Sequence, residues 1–455
     1  MSENPTPATE SPNEYERERV PEKATKGHSS FWGMYAGEHT AGTEFMIGPL
    51  FVAWGVGAWD LITGLLLGNL LAVLSWRFVT ATVATGTRET LYYKLEKICG
   101  ARLAVLYNLA NGVLFCFLAG AMITVSATAI GVPFPGITMP TFADLYPTGF
   151  AWTIACIATG LIITVVAVRG YAFVARMSNV AAPWMFLIFV ACGVVTLGKL
   201  DSVNIVALME PMPGTEQKIG FWGIVFFSWF CNAAMHIGMA DMSVLRFAKK
   251  SMYLGHYVAW ICAALLLVYW VRERGADPIE GVAPGPMVFD AVGWAGIICV
   301  IIAGWTTANP TIYRAGLAFQ GVLRKLTRAQ ATVLAGLVST AAGIFPAFAM
   351  NLLGFVGIYG TILAPIGAII FADYFLARRM GLPTEPARQA GLTFNWNVLI
   401  AWVLPVGIAL YIHASQGIPA HFLPLPCWLA CGILYLALTK MSSANRNLTA
   451  APTSS

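Results

Sequence analysis

Three short stretches of the 455-residue chain carry side chains capable of chemistry, and each is set in apolar surroundings. The first is AGEHTAGTEF (36–45), where Glu38, His39 and Glu44 stand around Gly37 and Gly42. The second, FWGIVFFSWFCNAAMHIGMAD (221–241), holds Asn232, His236 and Asp241. The third, GWTTANPTIYRAG (304–316), sets the adjacent hydroxyls of Thr306 and Thr307 next to Asn309 and Pro310. Carboxylates and imidazoles exchange protons and bind cations or N–H donors. Paired hydroxyls, with a carbonyl near Thr306 that Pro310 leaves without its donor, make a hard-oxygen environment suited to Na⁺. The plain alternative is a proline-kinked helix whose threonines bond back to their own backbone.

Composition fixes the solvent in which these groups must work. The chain is 58% hydrophobic and 11% charged, where soluble domains carry about a quarter charged residues. This is the composition of a polytopic membrane protein with no soluble catalytic domain, and the net charge of +5 is no argument for nucleic acid. The nine cysteines are scattered singly with no CxxC, and read as small buried apolar residues. Residues 1–30 are polar and lack an apolar core segment, so they read as a disordered cytoplasmic tail rather than a signal peptide.

Apolar runs near 20 residues cross a bilayer as helices. Twelve are expected, at about 34–54, 58–83, 103–131, 150–168, 177–198, 219–244, 252–271, 288–313, 329–349, 352–376, 396–413 and 420–439. With the N-terminus inside, 23 of the 27 Lys and Arg fall on the inner side, and only Lys199, Lys218, Arg272 and Arg274 fall outside. That is the positive-inside distribution for an even number of crossings with both termini cytoplasmic, in a cell inner (plasma) membrane. The basic inner residues read as anchors.

Two crossings look broken. The first gathers Gly33, Gly37, Gly42 and Gly48 around its ionisable groups; the sixth holds Asn232, His236, Gly238 and Asp241. Both open on the same tripeptide, Phe31-Trp32-Gly33 and Phe221-Trp222-Gly223, and each begins a block of five helices. Transporters with inverted repeats interrupt helices at such corresponding positions, so that unwound backbone and half-helix ends supply carbonyls and N–H groups at mid-membrane. Glycines that merely allow close helix packing are the alternative. The ionisable groups argue against it, since a charge at the bilayer centre costs roughly 2.5–3.5 kcal/mol on insertion scales.

Several stretches resemble the nucleobase:cation symporter-1 family of the purine/cytosine permease type. They are LLLGNLLAVL (65–74), TGTRET (85–90), WTTANPTIYRAGLAF (305–319), APIGAIIFADYFLARR (364–379) and FNWNVLIAW (394–402). The resemblance implies an all-α, LeuT-like fold: two inverted five-helix repeats (31–198 and 199–380), two additional C-terminal helices (381–440) and a tail (441–455). It implies a substrate site between crossings 1, 3, 6 and 8, and a sodium site built from Thr306, Thr307 and the carbonyls of Glu38 and Ala41. It also implies an aromatic platform on the third crossing at Phe115, and a second aromatic on the sixth at Trp229 or Phe230. The chain departs from the family pattern in its Asp241 to Arg246 spacing, in Ala308 preceding Asn309, and in Glu44, where relatives have small residues.

The expected function is a symporter that imports a nucleobase-like planar heterocycle, driven by Na⁺ or H⁺, with no other cofactor. Its expected partners are the substrate and the lipid bilayer, and a monomer suffices. The candidate substrate residues are Gly42, Thr43, Glu44, Phe45, Phe115, Trp229, Phe230, Asn232, His236 and Asn309. Glu44 either receives substrate N–H groups, carries a coupled proton, or pairs with His236; Glu38 and His39 are expected nearer the inner mouth, facing water. Two other classes stay open: a same-fold carrier of an amine, amino acid or vitamin precursor, and an intramembrane enzyme using Glu44 and His236. The absence of HExxH, GxSxG and P-loop motifs speaks against an enzyme or an ATP-driven pump.

Overall fold

The computed structural model describes residues 14–134, 136, 138–141, 143–200, 217–249 and 284–450. Among the described residues the regular elements are helices, with one isolated bridge between Lys26 and Ala248. The expected seventh crossing, 252–271, lies outside the described residues. The other eleven runs all meet helical structure.

The long helices fall where the apolar runs lie. They are α3 (Ala58–Ser75), α5 (Ala101–Gly131), α6 (Phe150–Val168), α7 (Tyr171–Lys199), α9 (Trp294–Val322), α10 (Arg328–Gly343), α11 (Leu352–Phe371), α12 (Trp396–Gln416) and α13 (Pro424–Ala450). Eight helical stretches among the described residues are long and apolar enough to cross a membrane. Helices α5, α9 and the stretch containing α11 are mostly enclosed by protein, whereas α3, α12 and α13 keep most of their surface outward. Outward residues such as Leu66, Leu70, Phe186, Leu187 and Ile433 are large and apolar, as lipid contact requires.

The two suspect crossings are interrupted. The first is α1 (Ser29–His39) and α2 (Glu44–Ala53), separated by Thr40–Thr43. The sixth runs as α8 (Phe221–Phe230), then a chain of turns, then a short helix at Met242–Leu245. In these turns the N–H groups of Ala240 and Asp241 reach back six residues, to the carbonyls of Ala234 and Met235, and Met239 takes φ +63°. Unwinding at this depth needs protein cover. Helix α11 supplies some of it: a Cβ at Gly367 would collide with the Ile237 carbonyl, so only glycine lets α11 lie this close to the broken segment. Trp428 of α13 donates to the same carbonyl at 2.8 Å. Helix α3 supplies more. It continues into a π-helical turn, Trp76–Ala81, whose Trp76 and Thr80 point at the sixth crossing.

Residues 14–30 depart from the disordered tail expected at 1–30. Val20 is fully buried, the Tyr313 hydroxyl donates to Glu14 at 2.7 Å, Arg246 donates to the Tyr15 carbonyl at 2.6 Å, and Arg17 pairs with Glu96 at 2.8 Å. The tail is polar because its partners are the charged ends of helices, not because it is solvated. Lys94 of helix α4 (Leu91–Cys99) similarly ties Asp373 (3.2 Å) to Glu385 (2.9 Å), anchoring this basic end of the bundle.

Candidate functional site

Ending α1 at His39 leaves its last carbonyls without the N–H groups of a following turn. Thr40 satisfies Ala36 through its N–H (3.0 Å) and its hydroxyl (2.8 Å). The Gly37 carbonyl instead meets the Thr307 hydroxyl of α9 at 3.2 Å. The approach is close because Gly37 faces Thr306 and Gly42 faces Gly304: a Cβ on Gly42 would sit 3.0 Å from the Gly304 backbone. Helix α9 and the first break are thus fitted backbone to backbone.

A cavity opens where the two breaks face each other. Glu38, Ala41, Thr43 and Glu44 line it from the first crossing, Cys231, Asn232 and Met235 from the sixth, and Thr307 and Thr311 from α9. Leu118 and Met122 of α5 and Leu352 and Val356 of α11 close it. Its free space is about 30 Å³, room for one or two waters. The cavity as it stands is contracted, and any solute larger than water must enter a more open arrangement.

Glu44 is 4% exposed, and its Oε2 has no hydrogen-bond partner. Among the described residues no Lys, Arg or His pairs with it. The proposed pairing with His236 is absent, since both ring nitrogens of His236 lack hydrogen-bond partners. His236 is wholly buried, 4.9 Å from the Trp76 ring and stacked toward Phe230, while its carbonyl accepts from Thr80. It does not line the cavity.

Beneath the cavity lies an ionic cluster that the sequence reading did not assemble. Arg314 of α9 donates to Glu38 at 2.7 Å and to Asp241 at 2.5 Å. Asp241 also accepts from Trp76 Nε1 at 2.6 Å and from the Tyr35 hydroxyl at 3.3 Å. Arg314 and Asp241 are wholly buried. The cluster joins both broken crossings, α9 and the π-helical turn. Two expectations are corrected. Glu38 and His39 do not face water: the Glu38 side chain is 9% exposed and His39 is 4% exposed. Arg314 and Arg246 are not surface anchors but fully buried. The wide turns before Asp241 carry it to Arg314 and Trp76. The signal was available: an arginine flanked by apolar helix is as costly as the acids already singled out.

The aromatic expectations fare differently. Phe115 is fully buried with its ring 5.8 Å from Tyr359, one turn from the cavity wall rather than on it. Phe45 stacks on Phe189 at 4.0 Å, Trp229 donates to Ser75 at 2.8 Å and stacks on Phe230, and none of the three lines the cavity. In this contracted arrangement the flat walls are Met122, Met235 and Leu118 instead. Asn309 is buried with an unpartnered Oδ1, outside the cavity lining. Thr306 bonds to the Ala303 carbonyl (3.1 Å) and Met185 (3.4 Å); Thr307 bonds back to the same carbonyl (3.1 Å), and of the two it is Thr307 that also reaches Gly37 of the first break. Helix α11 as a cavity wall, and Met235 and Thr311 as lining residues, were not foreseen.

Comparison with known proteins accounts for this arrangement. The cytosine permease of Escherichia coli (strain K12) is 22% identical over 312 residues, which cover 67% of this chain and 69% of that protein. The chain is a homologue of cytosine permease. Its fold is that of Mhp1, a nucleobase-cation-symport-1 family transporter. The closed conformation of Mhp1 with bromovinylhydantoin bound superposes with a TM-score of 0.73 at 14% identity, covering 96% of this chain and 97% of that one. Inward-facing Mhp1 gives 0.65 at 15% identity, with 94% and 95% covered. A Na⁺-coupled sialic acid symporter in a substrate-bound outward-open state gives 0.62 at 15% identity, with 94% and 91% covered. No family model matches the chain.

Proposed function

We propose that the protein is a cation-coupled symporter that takes up a small nitrogen heterocycle by alternating access. The observation that carries this is the cavity formed where two interrupted crossings face each other, with unwound backbone and acidic side chains in its wall. Helix ends and unwound carbonyls at mid-membrane bind ions and polar solutes without paying to strip a fully bonded helix. The homologue is a permease, so transport rather than catalysis is the reading.

In this reading the repeats run 31–198 and 199–380, followed by two accessory helices (381–440). The basic end, with residues 14–30 folded against it, faces the cytoplasm of an inner-membrane protein, and a monomer suffices. The coupling ion is Na⁺. Its ligands are the Thr307 hydroxyl and the Gly37 carbonyl, which already meet, with Thr306 and the carbonyls of Glu38 and Ala41 close by in sequence. The contracted cavity corresponds to an occluded state, and opening requires the Glu38–Arg314–Asp241 cluster to separate.

The test is uptake into proteoliposomes of radiolabelled pyrimidine and purine bases under an imposed Na⁺ gradient, and separately under a pH gradient. Na⁺-driven uptake that Thr307→Ala shifts to higher Na⁺ concentrations is the expected result. Uptake driven by the pH gradient and indifferent to Na⁺ would replace Na⁺ by H⁺, and failure of every base under both gradients would overturn the symporter reading.

A further inference from the structure

The cavity wall is acidic and carries no basic residue. Glu38 and Glu44 line it, and none of its lining residues is Lys, Arg or His. Glu38 already spends one oxygen on Arg314, but that guanidinium also holds Asp241, so two carboxylates share that one cation and Glu44 has none. Glu44 sits six residues on, across the break, with an oxygen that meets nothing. A carboxylate buried without a partner is expensive, and a bound donor that satisfies it gains what an exposed carboxylate would not give. The remaining wall is undemanding: Met122, Met235 and Leu118 accept a flat or irregular apolar body alike.

We infer that the transported solute carries a paired N–H donor edge of the amidine or protonated aminoheterocycle kind, which it presents to the Glu44 carboxylate with the cavity-facing side of Glu38 as a second anchor. This deepens the symporter reading and rests on it. A planar N–C–N edge with two N–H groups matches the two oxygens of a carboxylate, and its positive charge offsets the acid excess of the wall. A solute whose edge is carbonyl would set oxygen lone pairs against the same carboxylate and be rejected, because a site left with an unpaired buried polar group discriminates strongly. Asn232 and Thr43, the neutral polar groups of the same wall, can serve the rest of the solute.

Matched probes separate the edge from the shape. Purified protein in detergent with Na⁺ is titrated with benzamidine against benzamide, and 2-aminopyridine against 2-pyridone, reading thermal midpoint and binding isotherm. The expected result is stabilisation by the amidine and the amine, with at least tenfold weaker binding of their oxygen counterparts. Glu44→Gln should erase that preference, Glu38→Gln should narrow it, and Glu44→Asp should keep it. Variants are first checked for monodispersity and for a retained thermal response to Na⁺, which depends on Thr307 rather than Glu44. Equal stabilisation by both members of each pair would overturn the inference while leaving the symporter reading intact. So would an undiminished preference in Glu44→Gln. Stabilisation by no probe, with or without Na⁺, would likewise overturn the inference, while the symporter reading stands or falls by the uptake of bases in proteoliposomes.

Discussion

Arg314 ties the two broken crossings to each other. It is wholly buried and its two terminal nitrogens hold Glu38 at 2.7 Å and Asp241 at 2.5 Å. Replacing it by methionine keeps much of the packing volume but leaves two carboxylates facing each other with no cation between them. Removing one partner of a buried pair costs about 3–5 kcal/mol, and two charge-assisted hydrogen bonds at about 1.5–3 kcal/mol each give a similar figure. Asp241 keeps Trp76 and Tyr35 as donors, and Glu38 borders the cavity, so the loss should fall near the low end, about 3 kcal/mol. Arg314→Lys keeps the charge but cannot fork to both acids, and should lose about 1.5–3 kcal/mol, one bond's worth. The assay is denaturant unfolding in mixed micelles, followed by tryptophan fluorescence, for wild type, Arg314→Met, Asp241→Asn and the double variant. The double variant should be more stable than the sum of the singles, because the charge left stranded in Arg314→Met is gone. Wild-type stability in Arg314→Met, or strict additivity in the cycle, would refute the claim that this cluster is a tightly coupled buried ionic lock.

Other residues give separate tests. Gly367→Ala should lower the thermal midpoint and reduce uptake together, since a Cβ there collides with the Ile237 carbonyl and forces α11 off the broken crossing; a neutral effect would mean that the contact is loose. Trp229→Phe should cost about 1 kcal/mol of stability through the lost bond to Ser75 without changing solute preference, because the ring does not line the cavity; a changed preference in competition assays would restore Trp229 to the site. Phe115→Leu should alter solute preference less than Met122→Ala in the same assay, the reverse of what the family resemblance implies. At Glu385, in the loop after α11, burial raises the carboxyl, but the hydrogen bond and charge of Lys94, with Lys97 and Arg388, outweigh it and hold it below the usual 4.5. A depressed carboxyl stabilises the fold above its ordinary value and loses that contribution as pH falls through the lower folded value. Acid unfolding should therefore be shallower in Glu385→Gln, and identical acid limbs in the two proteins would dismiss the Lys94 pairing.

Most of the architecture was legible because lipid imposes rules that sequence cannot evade. Phe150–Val168 matches its apolar run to the residue, and α5, α7 and α12 differ from theirs by a few residues at the ends. The two interruptions were legible too, since glycines beside Glu38, His39 and Glu44, and beside His236 and Asp241, have no purpose in an unbroken crossing. What local sequence could not give was pairing across the bundle. Arg314 lies 276 residues from Glu38 and 73 from Asp241 along the chain, and nothing in TIYRAG announces either partner. Side-chain direction failed for a different reason. Near an unwound segment the helical period no longer holds, so Asn232 reaches the cavity while His236, one nominal turn later, turns toward Trp76 and Phe230.

The same physics makes the cavity and its closure inseparable. A broken helix exposes carbonyls and admits acids, but it also loses the backbone bonds that would otherwise keep its halves in register. The halves must then be held by side chains, and in this protein Glu38 hangs from the end of α1 while Asp241 closes the turns after α8. Arg314 grips both at once from α9, the helix that also presents Thr307 to the first break. The proposed ion ligand Thr307 and the ionic lock at Arg314 therefore lie on one helix, two turns apart, with Pro310 between them. Where α9 moves as one body, a shift that weakens the Thr307–Gly37 contact also strains the Arg314 pairs, and in the proposed symporter this makes ion release and opening of the basic end one movement. If so, Thr307→Ala and Arg314→Lys should each loosen the basic end in hydrogen exchange at Tyr35–His39, and the pair together should loosen it by less than the sum. Independent effects would mean that the helix bends between the two sites, and that ion and gate are coupled by something other than α9.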